Sequence, residues 1–266
     1  MTRRSTVWIH GAALLALVGS PGEASKGPEA ASPPFEVAAD AEDARLADEL
    51  DAVLTAGVER IESFFGLPFG HPFTVTLAPD RAAFDRWFPE AWGVAPTQCW
   101  MVASGVDAGV VVLSPRVWRT QACEHDPEDP IHLRNLVVHE LVHTYHGQVH
   151  EHGDFSFPGA EEIAWFLEGL ATYVSGQLEE GHMAEAEEAL ELGEGPEALA
   201  SAWSGRYRYG VSGSLVRFVD ETWGRDTLRG LLSASSQEEI LARLGVEEDE
   251  LLDRWRRSVR RSDDGA

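Results

Sequence analysis

Ile131-His132-Leu133-Arg134-Asn135-Leu136-Val137-Val138-His139-Glu140-Leu141-Val142-His143-Thr144-Tyr145-His146 is the stretch from which the fold is read. The two histidines His139 and His143 stand four apart, which is one face of a helix. Leu136, Val137, Val138, Leu141 and Val142 surround them without a charge, so the helix is expected to be buried. Gly147 reads as its stop, and the spacing predicts a helix over 131–146. Two imidazoles on one face can share a metal ion, and Glu140, offset by one position, is aimed at a water on that ion rather than at the ion itself. Zinc suits such a pair, because neutral imidazole binds it at about 2.0–2.1 Å.

Working outward, a loop over 150–158 leads to a second helix expected from about Ala160 to Leu178. It contains Trp165-Phe166-Leu167-Glu168-Gly169-Leu170-Ala171-Thr172-Tyr173, where Glu168 interrupts an apolar face. A buried carboxylate is costly without a partner, so Glu168 is a candidate metal ligand, the alternative being an arginine pair or a loop cap. Gly169 and Ala171 are small enough for another helix to come close. Upstream, the period predicts a long amphipathic helix over 38–65, strands over 73–77 and 109–113, and a short helix over 81–88. Residues 121–130 are polar and proline-broken, and read as a loop. Downstream come an acidic helix past Gly181, a turn over 203–209, a helix over 212–223 and two short helices around Glu238 and Arg254. Sheet pieces first and helices afterwards make an α+β domain over 35–266, with no internal repeat and no long linker.

The chain of 266 residues carries 45 acidic against 21 basic residues, a formal net charge of -24, which repels nucleic acid and anionic lipid. Arg3 and Arg4 precede the apolar run Ala12 to Val18, and Gly22-Glu23-Ala24 offers a cleavage site. Residues 1–24 therefore read as a signal peptide cut near Ala24, 25–34 as a flexible leader, and the mature chain as secreted or periplasmic with no membrane span. Cys99 and Cys123 are the two cysteines, open to a disulfide after export or to two buried thiols.

His139-Glu140-Leu141-Val142-His143, the segment Trp165 to Tyr173, and Tyr209-Gly210-Val211-Ser212-Gly213-Ser214-Leu215-Val216-Arg217-Phe218-Val219 together resemble the peptidase-MA-like gluzincin metallopeptidases. The resemblance runs from about Phe73 onward, and takes in Leu244-Gly245-Val246 followed by a helix bearing Trp255. It implies a zincin-like fold: a small N-terminal mixed sheet, an active-site helix and a mainly helical C-terminal part. It further implies one catalytic Zn2+ held by His139, His143 and Glu168, with one coordination position left for water, Glu140 as general base, and a protein or peptide substrate. Thr172 stands where such enzymes often place an acidic residue that orients a ligand histidine.

A donor opposite the metal is needed to stabilise negative charge on a carbonyl oxygen. Tyr209 is the candidate, with Tyr207 and one of the loop histidines as alternatives; in an extended segment the two tyrosines would face one side. His146, His150 and His152 read either as a second metal site or as a histidine-rich cleft rim. Three functions compete: a zinc peptidase, a zinc-stabilised binding module for a peptide or cell-envelope component, and a hydrolase of a non-peptide bond.

Overall fold

The computed structural model describes residues 33–89 and 95–263; the expected signal peptide and residues 25–32 of the expected leader lie outside them. Strand β1 (Phe35–Ala38) opens the described chain, and helix α1 (Ala44–Phe65) follows. The helix starts later than its period suggests: Ala38 belongs to the strand, and 39–43 form a turn in which the Asp40 side chain accepts from the N–H groups of Glu42 and Asp43. It closes on Gly66, whose left-handed φ of 72° lets its N–H reach back to the Glu62 carbonyl. Strand β2 (Phe73–Ala78) leads into α2 (Arg81–Trp87), capped by the Asp80 side chain, which accepts from the Ala83 N–H.

Strands β3 (Ala103–Val106) and β4 (Gly109–Leu113) complete a four-stranded sheet in the order β1-β2-β4-β3. The pairs β1/β2 and β2/β4 are parallel and β3/β4 is antiparallel, so the sheet is mixed and β3 is its edge. Alternation along β4 sends Val110 and Val112 into the main core, and Val111 and Leu113 into a smaller cluster with Phe84, Phe88 and Trp118. Trp118 opens the short helix α3 (Trp118–Gln121).

Helix α4 (Pro130–Val149) begins with Asp129 accepting from the N–H groups of Ile131 and His132, and with Pro130 in the first turn. It is buried without interruption from Val137 to Gly147 and runs past the expected stop at His146. Gly147 is not a terminator: a Cβ on it would stand 2.5 Å from the Gly153 carbonyl oxygen and 2.7 Å from the Asp107 nitrogen. Its missing side chain lets two loops close against the helix.

The remaining chain is helical: α5 (Ala164–Ser175), α6 (Met183–Glu191), α7 (Arg208–Trp223), α8 (Arg225–Leu231), α9 (Gln237–Leu244) and α10 (Glu248–Asp263). Gly169 on α5 does permit close approach, to α7, where its Cβ would meet the Ser212 carbonyl oxygen at 2.3 Å. The helix expected over 212–223 starts earlier, at Arg208, and α10 has 16 residues instead of being short. The Trp255 indole N–H donates to Ser214 Oγ at 3.1 Å and fastens α10 to α7. The molecule is thus α+β, a small mixed sheet followed by a mainly helical part. Among the described residues no helix is long and apolar enough to cross a membrane.

Candidate metal centre

Helices α4 and α5 bring His139, His143 and Glu168 together. The Nε2 atoms of His139 and His143 are 3.2 Å apart, and Glu168 Oε2 lies 3.2 Å from the first and 3.6 Å from the second. His139 Nδ1 stands 2.8 Å from Gln177 Oε1, which can only accept, so Nδ1 carries the proton and donates. The Nε2 of a neutral His139 is then a bare lone pair, aimed at a second imidazole nitrogen and a carboxylate oxygen. Three such atoms at one point call for a cation. A tetrahedral ion with bonds of about 2.0–2.1 Å keeps its ligand atoms about 3.3 Å apart, which is the spacing found. Among the described residues this is the one group of three or more His, Cys, Asp or Glu side chains with that convergence.

The electrostatics agree. Burial would raise the Glu168 carboxyl, but the charge of His143 and hydrogen bonds from His139 and His143 outweigh it and hold the group well below the usual carboxylate range. Burial would lower His139, yet the hydrogen bond to Glu168 and the charges of Glu140 and Glu168 hold it above its ordinary value. Positive charge is favoured at this point in the fold. Glu140 differs: burial raises its carboxyl, against the pull of His139, His143 and the Gly105 backbone. A carboxylate with a raised pKa is a better proton acceptor near neutrality.

Gly105 is the contact between β3 and α4. A Cβ there would lie 2.2 Å from the Glu140 carbonyl oxygen, so the edge strand and the site helix meet backbone to backbone. Residues 103–106 line a cleft of about 870 Å3, whose floor is His139, Glu140, His143 and Glu168. Two non-glycine residues on its wall, Glu124 (φ 66°) and Phe155 (φ 55°), hold left-handed backbone conformations, a strain that concentrates at functional sites. The Phe155 ring stands 6.1 Å from that of His143.

The far wall is clasped twice. Cys99 and Cys123 form a disulfide with Cα atoms 5.3 Å apart. The Arg81 guanidinium donates to the carbonyls of Gln121 at 2.7 Å and Cys99 at 3.2 Å, to Thr97 Oγ1 at 3.0 Å, and to the Met101 carbonyl. Next to them, His125 Nε2 donates to the Trp100 carbonyl at 2.8 Å, which leaves its Nδ1 to accept from His132 Nε2 at 2.7 Å.

Tyr209 lines the cleft with its ring 6.2 Å from that of His139, between Trp203 and His182. Tyr207 does not: it packs in the main core and faces a different cavity. The two fall on opposite sides because α7 starts at Arg208, and two residues on a helix turn the side chain by about 200°. His146, on α4 and not in a loop, does not reach the site, and neither do His150 and His152. His146 Nε2 donates to the Leu232 carbonyl at 2.9 Å, and His150 Nε2 to the Ala234 carbonyl at 3.2 Å, so both pin the α8–α9 connection to α4. His152 stacks beside Phe157.

Three contributors carried no signal in the sequence. Gln177 orients His139, a task expected of position 172, whereas the Thr172 hydroxyl donates back to the Glu168 carbonyl at 2.9 Å. Gly105 seats the edge strand, and His182, paired with Glu185 at 2.9 Å, stacks on Tyr209. Only the Gly176 stop of α5 could have hinted that Gln177 turns back toward the site.

Residues 117–223, which hold α4, α5 and α7, match the model of peptidase family M9, described as collagenase, a zinc metallopeptidase family. No curated protein sequence matches the chain. The family match and the His139, His143 and Glu168 group support a zinc metallopeptidase.

Proposed function

We propose that this chain is a secreted, zinc-dependent peptidase of the gluzincin type on a zincin-like fold, with His139, His143 and Glu168 as ligands of one ion and Glu140 as general base. The observation that carries the proposal is the convergence of three donor atoms within 3.2–3.6 Å, one of them fixed as a lone pair by Gln177. Bound there, zinc supplies a Lewis acid and lowers the pKa of a water toward about 7.

The chain's own residues do the rest. Glu140, with a pKa raised by burial, takes a proton from the attacking water and returns it to the leaving amine. Edge strand β3 offers its open side for an extended peptide to pair along the cleft. The Tyr209 hydroxyl donates to the developing oxyanion; burial and the charges of Glu168 and Glu140 outweigh the charge and hydrogen bond of Arg208 and keep its pKa raised, so it stays a donor across the neutral range. Export is supported by the Arg3-Arg4 and Ala12 to Val18 pattern with Ala24, and by the Cys99–Cys123 disulfide, a bond that persists in oxidising compartments.

Metal analysis and cleavage of an unfolded protein test this directly. Wild type should carry one zinc per chain and cleave; Glu168→Ala should lose the metal; Glu140→Gln should keep it and lose cleavage. Full activity in Glu140→Gln would refute the base assignment. Zinc and peptide binding without any turnover would leave a binding module in place of a peptidase.

A further inference from the structure

We propose that Arg208 binds a carboxylate of the substrate close to the scissile bond; this rests on the peptidase reading above. Arg208 is the one arginine or lysine among the described residues that line the cleft. Its guanidinium lies 5.2 Å from the Tyr209 ring centroid and 5.4 Å from that of Trp203. The Tyr209 ring is in turn 6.2 Å from His139, so the two distances together put the cation no more than about 11 Å from a proposed metal ligand. An extended peptide advances about 3.3 Å per residue, so a group held by Arg208 sits within about three residues of the bond to be cut.

No carboxylate among the described residues pairs with Arg208. Neighbouring Arg206, Arg217 and Arg225, by contrast, pair with Glu194, Glu221 and Asp220. Two acidic groups of the same cleft are committed elsewhere: Glu180 takes Arg134 and Asn135, and Asp129 caps α4, while Glu185 Oε2 lies 2.9 Å from His182 Nδ1. The Trp203 and Tyr209 rings flank the guanidinium, which also donates a hydrogen bond to the Tyr209 hydroxyl, so it is held in advance; a planar fork has further N–H groups with which to receive a carboxylate. Its position in the first turn of the 16-residue α7 adds the positive end of the helix field.

The ligand chemistry is therefore a carboxylate, supplied either by the free C-terminus of a short peptide or by an Asp or Glu side chain near the cleaved bond. The test uses the full zinc-loaded protein and matched fluorogenic peptides. One pair differs only in a C-terminal carboxylate against amide; the others exchange Glu for Gln at each of the three positions on either side of the bond. We expect kcat/KM to favour the carboxylate member of one pair by about tenfold or more, mainly through KM. Which pair responds identifies the source. That ratio should fall to near unity in Arg208→Ala and recover in part in Arg208→Lys, with thermal melts confirming that both variants fold.

The same pairs are titrated by calorimetry against zinc-loaded Glu140→Gln. Carboxylate-selective binding that depends on Arg208, with no turnover in wild type, upholds Arg208 and removes the peptidase reading. Turnover with less than threefold preference in every pair, or a preference that survives Arg208→Ala, overturns the Arg208 proposal and leaves the peptidase standing. Neither binding preference nor turnover overturns both.

Discussion

Acidification should destabilise this fold through one imidazole, His146. It is 1% exposed, its Nε2–H is committed to the Leu232 carbonyl, and its Nδ1 has no hydrogen-bond partner among the described residues. A second proton on that ring would be a buried, unpaired donor as well as a buried charge. Burial above all, with smaller contributions from His143 and His150, pushes its pKa from 6.5 to about 3 against the opposing hydrogen bond to Leu232. The unfolded chain takes up the proton near pH 6.5, whereas the folded chain refuses it until about pH 3. Stability from this group is thus fully present above pH 6.5 and is lost progressively as the pH falls to about 3. The whole difference amounts to about 5 kcal/mol, of which about 2 kcal/mol is gone by pH 5. Urea denaturation of the chelator-treated protein at pH 7, 6 and 5 measures it, beside His146→Gln, whose amide can still donate toward Leu232 but does not titrate. Because His139, His143 and the carboxylates are common to both proteins, their titration cancels in the comparison. Wild type should lose about 2 kcal/mol more than the variant between pH 7 and pH 5. Parallel losses would refute the assignment of a buried neutral imidazole.

Removing the acceptor that fixes His139, by Gln177→Leu, should weaken zinc binding by about 10–100-fold in a competition titration without unfolding the protein. Gly105→Ala forces a methyl against the Glu140 backbone, with 2.2 Å where contact needs far more, and should cost about 1–3 kcal/mol of stability while lowering kcat/KM, read from thermal melts and peptide cleavage. Replacing Cys99 and Cys123 together by Ser opens a loop closed across 24 residues and should cost about 3 kcal/mol in denaturant titration. At a temperature where that variant is folded, cleavage should stay within a few-fold of wild type, because Arg81 holds the same wall.

What the sequence made legible depended on short-range spacing. His139 and His143 were readable because four residues on a helix define a face without reference to the rest of the chain. Glu168 was readable because a lone carboxylate in an apolar helix needs an explanation, and its meeting with the histidines follows from α4 and α5 being neighbours. β1 and β3 were not readable. Each is four residues long, and β3 is made of Ala103-Ser104-Gly105-Val106, in which only Val106 has strand preference and the rest are held by pairing with β4 and contact with α4. Tyr207 and Tyr209 went wrong as a pair for a related reason. Arg206 to Tyr209 has no helical signature of its own, and its first turn is set by the packing of α7 on α5 and α6. Gln177 depends on where the chain goes after Gly176, which no local pattern records.

Arg81 and the Cys99–Cys123 bridge span the same stretch of wall by different chemistry, and they depend differently on redox conditions. A guanidinium bound to four carbonyls and a hydroxyl acts as soon as the chain is folded, in a reducing or an oxidising compartment. The disulfide waits for an oxidant. The wall therefore carries one clasp that needs no oxidant and one that does. Reduction would remove the covalent clasp alone and leave the hydrogen bonds of Arg81 across the same wall in place.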